Sequence, residues 1–144
     1  GLYHGVDQQA QLRRLLPQAS HCLHFPGRVG NVQDWYERAD LFLLPSRYEG
    51  FPNVLLEAMA SGCCCISSDC PQGPAELICD GVNGRLLPND ANPETWAEVV
   101  SVLLTDSEQR RRLADGALDV RRRFSEERLR RCFMSGVSQL VGDG

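Results

Sequence analysis

The sequence predicts an α/β fold, a doubly wound parallel sheet, and three observations carry that expectation. Leu41 to Leu44 is a short continuous apolar run closed by Pro45, the pattern of a strand covered on both faces. Past a polar loop, Val54, Leu55, Ala58 and Met59 recur at helical spacing, and Gly62 is a residue that commonly ends a helix. A second buried run, Cys63 to Ser67, and a third short one, Arg85 to Leu87, follow, with a loop and short helix between them. Strands alternating with helices in this way make a parallel layer, and the 144 residues are read as one domain, 1–144.

Taken in order, Leu12, Leu15 and Leu16 mark an opening helix stopped by Pro17, after a glycine-flanked start in which His4 is a turn residue. His21 to Phe25 reads as a strand, and Pro26-Gly27-Arg28-Val29-Gly30 as a loop whose glycines let backbone approach a ligand. Asn31 is placed to cap a helix with the stripe Val32, Trp35, Tyr36 and Ala39, Trp35 being assigned to the core. Further on, Asp80-Gly81 and Asn83-Gly84 are turn signals on either side of a tight connection. Asn92-Pro93-Glu94 opens a helix with Trp96, Val99, Val100, Leu103 and Leu104 on one face. Another helix follows Asp106 or Ser107, and a last one is expected from Ser125.

Composition narrows the function. The net charge of −4 provides no broad basic field for nucleic acid. All fifteen basic residues are arginine; Arg110 to Arg112, Arg121 to Arg123, Arg128, Arg130 and Arg131 are interleaved with acids, which predicts a solvated helical face, with contact to anionic lipid as the alternative. The seven cysteines, an odd number, and the lack of a charged-then-apolar leader predict a reducing cytoplasm. Cys63, Cys64 and Cys65 are consecutive, so on a strand they point alternately to opposite faces and cannot close on one metal; they are read as small core residues.

The chemistry-bearing stretch is P-S-R-Y-E-G-F-P-N-V-L-L-E-A-M-A-S-G, from Pro45 to Gly62. A strand-to-helix loop lies at the carboxyl edge of a parallel sheet, where ligands bind, and a helix start favours anions. Glu49 and Glu57 stand on either side of the turn with seven residues between them. If the helix starts near Pro52, Glu57 lies about 7 Å along its axis at roughly 1.5 Å per residue. A diphosphate at the helix start, with hydroxyl-bearing groups accepted by the carboxylates, satisfies all of these groups.

That framed run resembles the E-x7-E signature of the retaining glycosyltransferases of family 4. The likeness implies the Rossmann-like C-terminal half of the GT-B fold, with the sheet incomplete at its N-terminus, and extends over nearly the whole chain. It implies transfer of a sugar, with retained anomeric configuration, from a nucleotide-diphosphate donor to an acceptor hydroxyl. Glu49 is then the catalytic candidate that orients the donor sugar. Ser46 and the backbone of Gly50, Phe51, Pro52, Asn53 and Val54 would hold the diphosphate, Glu57 the ribose hydroxyls, and Gly27 and Arg28 the base. Ser68-Asp69-Cys70-Pro71-Gln72-Gly73-Pro74-Ala75-Glu76 resembles the family's second loop, which makes Gly73 and Glu76 donor-binding candidates.

Neither metal nor cofactor is expected, since no D-x-D pair is present and amides with cations can neutralise a diphosphate. The family ordinarily adds an arginine and a lysine from an earlier loop, and this chain contains no lysine. The implied partners are a nucleotide-diphosphate sugar, with UDP-sugars of bacterial polysaccharide or lipid-linked oligosaccharide synthesis foremost, and an acceptor sugar or lipid-linked sugar bound by an N-terminal domain outside this chain. Alone, the chain is expected to bind donor weakly and to transfer nothing. A cytoplasmic setting is expected, with peripheral association at the inner face of the membrane as a variant. The alternatives are a GT-B nucleotide-sugar epimerase or phosphorylase and a noncatalytic nucleotide-sugar-binding module.

Overall fold

The computed structural model describes residues 9–11, 13–19 and 21–124, and the chain divides into two compact units, Gly1–Asn31 and Val32–Gly144. Glycines 1 and 5, His4, Leu12, Cys132 and the helix expected from Ser125 lie outside the described residues.

In the first unit, residues 9–11 and 13–15 are helical and Pro17–Ala19 forms a 3-10 turn, so the helix stops where Pro17 requires. Leu15 and Leu16 are exposed instead of forming a buried stripe. The strand expected at His21 to Phe25 is absent: residues 21–22 turn, with the Cys22 amide donating to Ala19 O at 2.9 Å, and residues 23–27 are irregular. Among the described residues no strand pairs with this run, and an unpaired strand leaves every other backbone group without a ladder partner. The Arg13 guanidinium lies 5.6 Å from the Phe25 ring centroid.

The second unit is built on three parallel strands in the order β1 (Leu41–Leu44), β2 (Cys64–Asp69) and β3 (Arg85–Pro88), with Leu41 opposite Cys64 and Ile66 opposite Arg85. The helices are α1 (Val32–Arg38), α2 (Asn53–Ala60), α3 (Pro74–Leu77), α4 (Pro93–Thr105), α5 (Ser107–Ala117) and α6 (Val120–Arg123). Two-residue alternation sorts the core. Cys63 and Cys65 join Tyr36, Leu55, Met59, Leu77 and Val120 on one side of the sheet, whereas Cys64 and Ile66 join Leu87, Leu103 and Leu113 on the other. The doubly wound layer is therefore present, with α1, α2, α3 and α6 on one face and α4 and α5 on the opposite one.

β2 is central and buried up to its last residue, and burial pushes the Cys64 thiol up to about 11. β1 is an edge strand of the described sheet and only half covered, with Leu43 exposed, so the expectation of burial on both faces fails for want of a neighbour. Of the α1 stripe only Tyr36 is buried, its ring edge-on to Phe42 at 5.6 Å; Val32 and Trp35 stay exposed, which corrects the core assignment of Trp35. Leu104 is likewise exposed, because Leu103 takes the single core position in that part of α4.

Local signals end the remaining elements. Asn92 Oδ1 accepts the Thr95 amide at 2.8 Å with Pro93 in the first turn, and Asp106 Oδ1 accepts the Gln109 amide at 2.9 Å to start α5. Asp80 Oδ1 takes the Leu86 amide at 2.9 Å and Arg85 Nε at 2.8 Å; burial alone raises its carboxyl, but these contacts outweigh it and hold it below the usual carboxylate range. Part of the arginine-rich run is not a free solvated face: Arg110 Nη1 donates to Leu103 O at 2.7 Å and Arg121 Nε to Ala60 O at 2.6 Å, both at helix C-termini.

Asn83 is the buried polar pin of the β3 approach, 4% exposed. Its Oδ1 accepts the Cys79 amide at 2.7 Å, and its Nδ2 donates to Leu77 O at 3.0 Å. Asn83→Ala leaves the Cys79 amide without its acceptor and removes one of the two donors to Leu77 O, which keeps Arg123 Nη1, so it costs about 1–2 kcal/mol of stability, readable in urea unfolding as a lower midpoint at unchanged slope.

Candidate functional site

The site is assembled at the carboxyl ends of β1 and β2. Pro45 takes the chain out of the sheet, and the first carbonyls of the exit are caught by the end of β2. Ser67 Oγ donates to Leu44 O at 3.4 Å; Ser68 Oγ reaches the same carbonyl at 3.4 Å and makes a short hydrogen bond to Ser46 O. Both serines are buried, so these hydroxyls find their acceptors within the protein and fix the start of the loop.

Along the loop, Tyr48 projects into solvent, Glu49 and Phe51 are half-buried, and Gly50 is exposed. Pro52 is buried at the start of α2 with no side-chain cap. The first-turn amides of a helix have no intrahelical acceptor. Here Asn53 N turns back to Phe51 O at 2.9 Å and Leu56 N closes on Pro52 O at 3.1 Å, while Pro52 has no N–H. Among the described residues the amides of Val54 and Leu55 are those left open at this helix start, and no acid stands in its first turn. A positive, uncompensated helix end with two open amides can receive an anion. Within Gly50 to Val54, Pro52 offers no amide and that of Asn53 is turned back to Phe51 O.

Glu57 lies a turn into α2 and is exposed. Its carboxylate acts on Tyr36, whose hydroxyl proton is held more tightly than usual by burial first and by the charge of Glu57 second, with smaller effects from Cys65 and Cys63.

The second loop touches the first directly. Gly73 is buried at φ +120°, and a Cβ there would stand 2.5 Å from Pro52 Cδ and 2.9 Å from Gly50 O. Gln72 before it also has positive φ, +67°. Backbone-to-backbone packing of this kind admits only glycine. Gly73 is thus a wedge against Gly50 and Pro52, and Glu76 sits exposed in the first turn of α3.

The structure brings Ser46, Gly50, Phe51, Pro52, Asn53, Val54 and Gly73 into one loop cluster, with Glu49 in the same loop and Glu57 and Glu76 on the helices that leave it. Gly27, at φ +70° with open space where a Cβ would stand, and Arg28, exposed, belong to the unit Gly1–Asn31.

Two features escaped the sequence reading. Ser67 and Ser68 were legible as polar residues closing an apolar strand, though their acceptors were not. A concavity of about 420 Å³ beside the loop is lined by Arg47, Ser68, Asn89 and Trp96 among others, with Asn89 Nδ2 donating to Arg47 O at 3.4 Å. No sequence signal joined residues so far apart. Among the described residues no group of three or more His, Cys, Asp or Glu side chains converges to hold a metal ion, and no helix is long and apolar enough to cross a membrane.

Known proteins resemble this chain in sequence and in fold. The family described as Glycosyl transferases group 1 matches residues 2–106. A D-inositol 3-phosphate glycosyltransferase of Xylanimonas cellulosilytica is 37% identical over 71% of this chain and 24% of its own length. An N,N'-diacetylbacillosaminyl-diphospho-undecaprenol alpha-1,3-N-acetylgalactosaminyltransferase of Campylobacter jejuni is 34% identical over 78% of this chain and 30% of its own length. The chain thus spans less than a third of each of these relatives. Among solved structures, the C-terminal domain of a glycosyl transferase group 1 family protein (LpcC) from Francisella tularensis superposes with a TM-score of 0.69 at 28% identity, over 82% of this chain and 62% of that one. Anabaena Alr3699/HepE in complex with UDP shares the fold at a TM-score of 0.79 and 20% identity, over 95% of this chain and 38% of that one.

Proposed function

Since the chain belongs to the group 1 glycosyltransferases, we propose that it forms the donor-binding part of a retaining enzyme, moving a sugar from a nucleotide diphosphate to an acceptor hydroxyl. The observation that carries this reading is the junction of Gly73 with Gly50 and Pro52 at the uncapped start of α2. It holds two loops together where an anion is favoured, with Glu49 in the first loop and Glu57 and Glu76 on the helices that leave the two.

In this reading the diphosphate docks on the amides of Val54 and Leu55, and the positive helix end stabilises the charge that grows on the leaving phosphate as the sugar departs. Glu49 accepts hydrogen bonds from the donor sugar and sets its orientation. Glu57, exposed on α2, accepts the ribose hydroxyls. Within the unit Val32–Gly144, Glu76 stands beside the donor in this reading.

A UDP-sugar is the donor class the reading favours, the Anabaena structure of the same fold being a UDP complex. The Campylobacter relative's undecaprenol-linked name supports a lipid-linked sugar as acceptor, bound by residues outside this chain. In this reading the protein works at the cytoplasmic face of the membrane that holds such an acceptor.

Calorimetric titration of the protein carrying this chain with UDP-glucose, UDP-galactose and GDP-mannose tests the proposal. One of these binds with an affinity that Glu57→Gln lowers about tenfold, as for loss of a charge-assisted hydrogen bond. No heat from any nucleotide sugar, or binding indifferent to Glu57, rejects it.

A further inference from the structure

Phe51, between Gly50 and Pro52, meets an aromatic partner from the far end of the described chain: Phe124, with ring centroids 6.0 Å apart and planes inclined at 53°. Phe124 directly follows α6, and the residue before it is tied to the second loop. Arg123 Nη1 donates to Leu77 O at 3.1 Å, and its Nη2 makes a short hydrogen bond to Glu76 O. The same guanidinium lies 5.4 Å from the Phe124 ring centroid, with Asp119 Oδ2 3.9 Å from its Nε. Two residues earlier, Arg121 holds Ala60 O at the end of α2. A short segment therefore grips the end of α2, the end of α3 and the loop that leads into α2.

The chemistry suits a strut. Carbonyls at a helix C-terminus lack intrahelical donors and carry the negative end of the dipole, so a cation there is both hydrogen-bonded and electrostatically favoured. Two successive carbonyls, Glu76 O and Leu77 O, match the planar fork of an arginine; the point charge of a lysine reaches one of them at a time. With α3 pinned, Gly73 at its start presses on Pro52, and Phe124 presses on the residue before Pro52. The loop is thereby held from two directions.

We propose that Arg123 and Phe124 are positioning residues for the donor loop, acting through Phe51 and α3 to keep the open amides of Val54 and Leu55 aimed at the diphosphate. The role in donor binding rests on the function proposed above, whereas the strut is measurable without any donor.

Hydrogen–deuterium exchange on the full chain separates the two. Phe124→Ala speeds exchange in peptides covering 46–58 about fivefold, the scale of a lost aromatic pair. Peptides over 85–105 stay at the wild-type rate, and Phe124→Tyr restores protection. Arg123→Lys speeds exchange at both 46–58 and 74–79. In parallel, Phe124→Ala weakens binding of whichever UDP- or GDP-sugar the wild-type chain takes by a similar factor. If Phe124→Ala raises exchange everywhere, Phe124→Leu decides: a rise confined to 46–58 supports the strut. Unchanged exchange at 46–58 in these variants overturns it. Wild-type peptides that gain no protection from either nucleotide sugar overturn the donor reading instead, and the variant comparison still decides the strut.

Discussion

Sugar transfer falls about 10²- to 10⁴-fold when Glu49 and Glu57 are both changed to glutamine in the protein that carries this chain, as for two charge-assisted hydrogen bonds lost together. Under the roles proposed above for Glu49 and Glu57, the single changes divide the effect. Glu57→Gln raises the donor KM with kcat close to wild type, because ribose contacts are made equally before and during transfer. Glu49→Gln lowers kcat, because orientation of the departing sugar matters most in the transition state. Glu57 is exposed and Glu49 half-buried, so the fold tolerates both changes and circular dichroism stays unchanged. Initial rates with a radiolabelled nucleotide sugar check this, and a double variant with normal turnover shows that the chain is a binding or assembly module instead.

Gly73→Ala is the most damaging single change expected in the site. Two penalties combine: a φ of +120° that side chains rarely adopt, and a Cβ 2.5 Å from Pro52 Cδ and 2.9 Å from Gly50 O. Strain of about 1–3 kcal/mol and overpacking of about the same size together lower the melting temperature by roughly 10–20 °C. Whatever fold remains has the α2 start displaced, so nucleotide-sugar affinity drops even well below the transition. Scanning calorimetry of the variant, compared with Gly81→Ala, isolates the contact: Gly81 also has positive φ, +77°, yet its Cβ meets nothing within 4 Å. Equal losses for the two variants would mean that backbone strain alone, and not the loop junction, accounts for Gly73.

Much of the second unit was legible from local pattern. Pro45 after an apolar run, Asn92-Pro93 before a helical stripe and Asp106 ahead of Ser107 each act through bonds within a few residues, and each stands where the sequence puts it. The cysteine triplet was also readable, since strand alternation sends Cys63 and Cys65 to one side and Cys64 to the other whatever else the chain does. His21 to Phe25 shows the opposite case: its composition suits a strand, but a strand exists only with a partner to complete its ladder, and composition does not supply one.

For the candidate site, the framed glutamates and the helix start were written in one continuous stretch, from Pro45 to Gly62, and needed no distant residue to be recognised. What holds that stretch in place is non-local. Ser68 acts on a carbonyl 22 residues away, Arg123 on ones 46 and 47 away, and Gly73 fits only because Pro52 stands against it. Helix starts were settled by neighbours in sequence, because propensity and capping act over single turns. The packing of one loop on another, and of Phe124 on Phe51, had to wait for the folded chain, because short-range attraction acts on whichever surfaces the topology brings together.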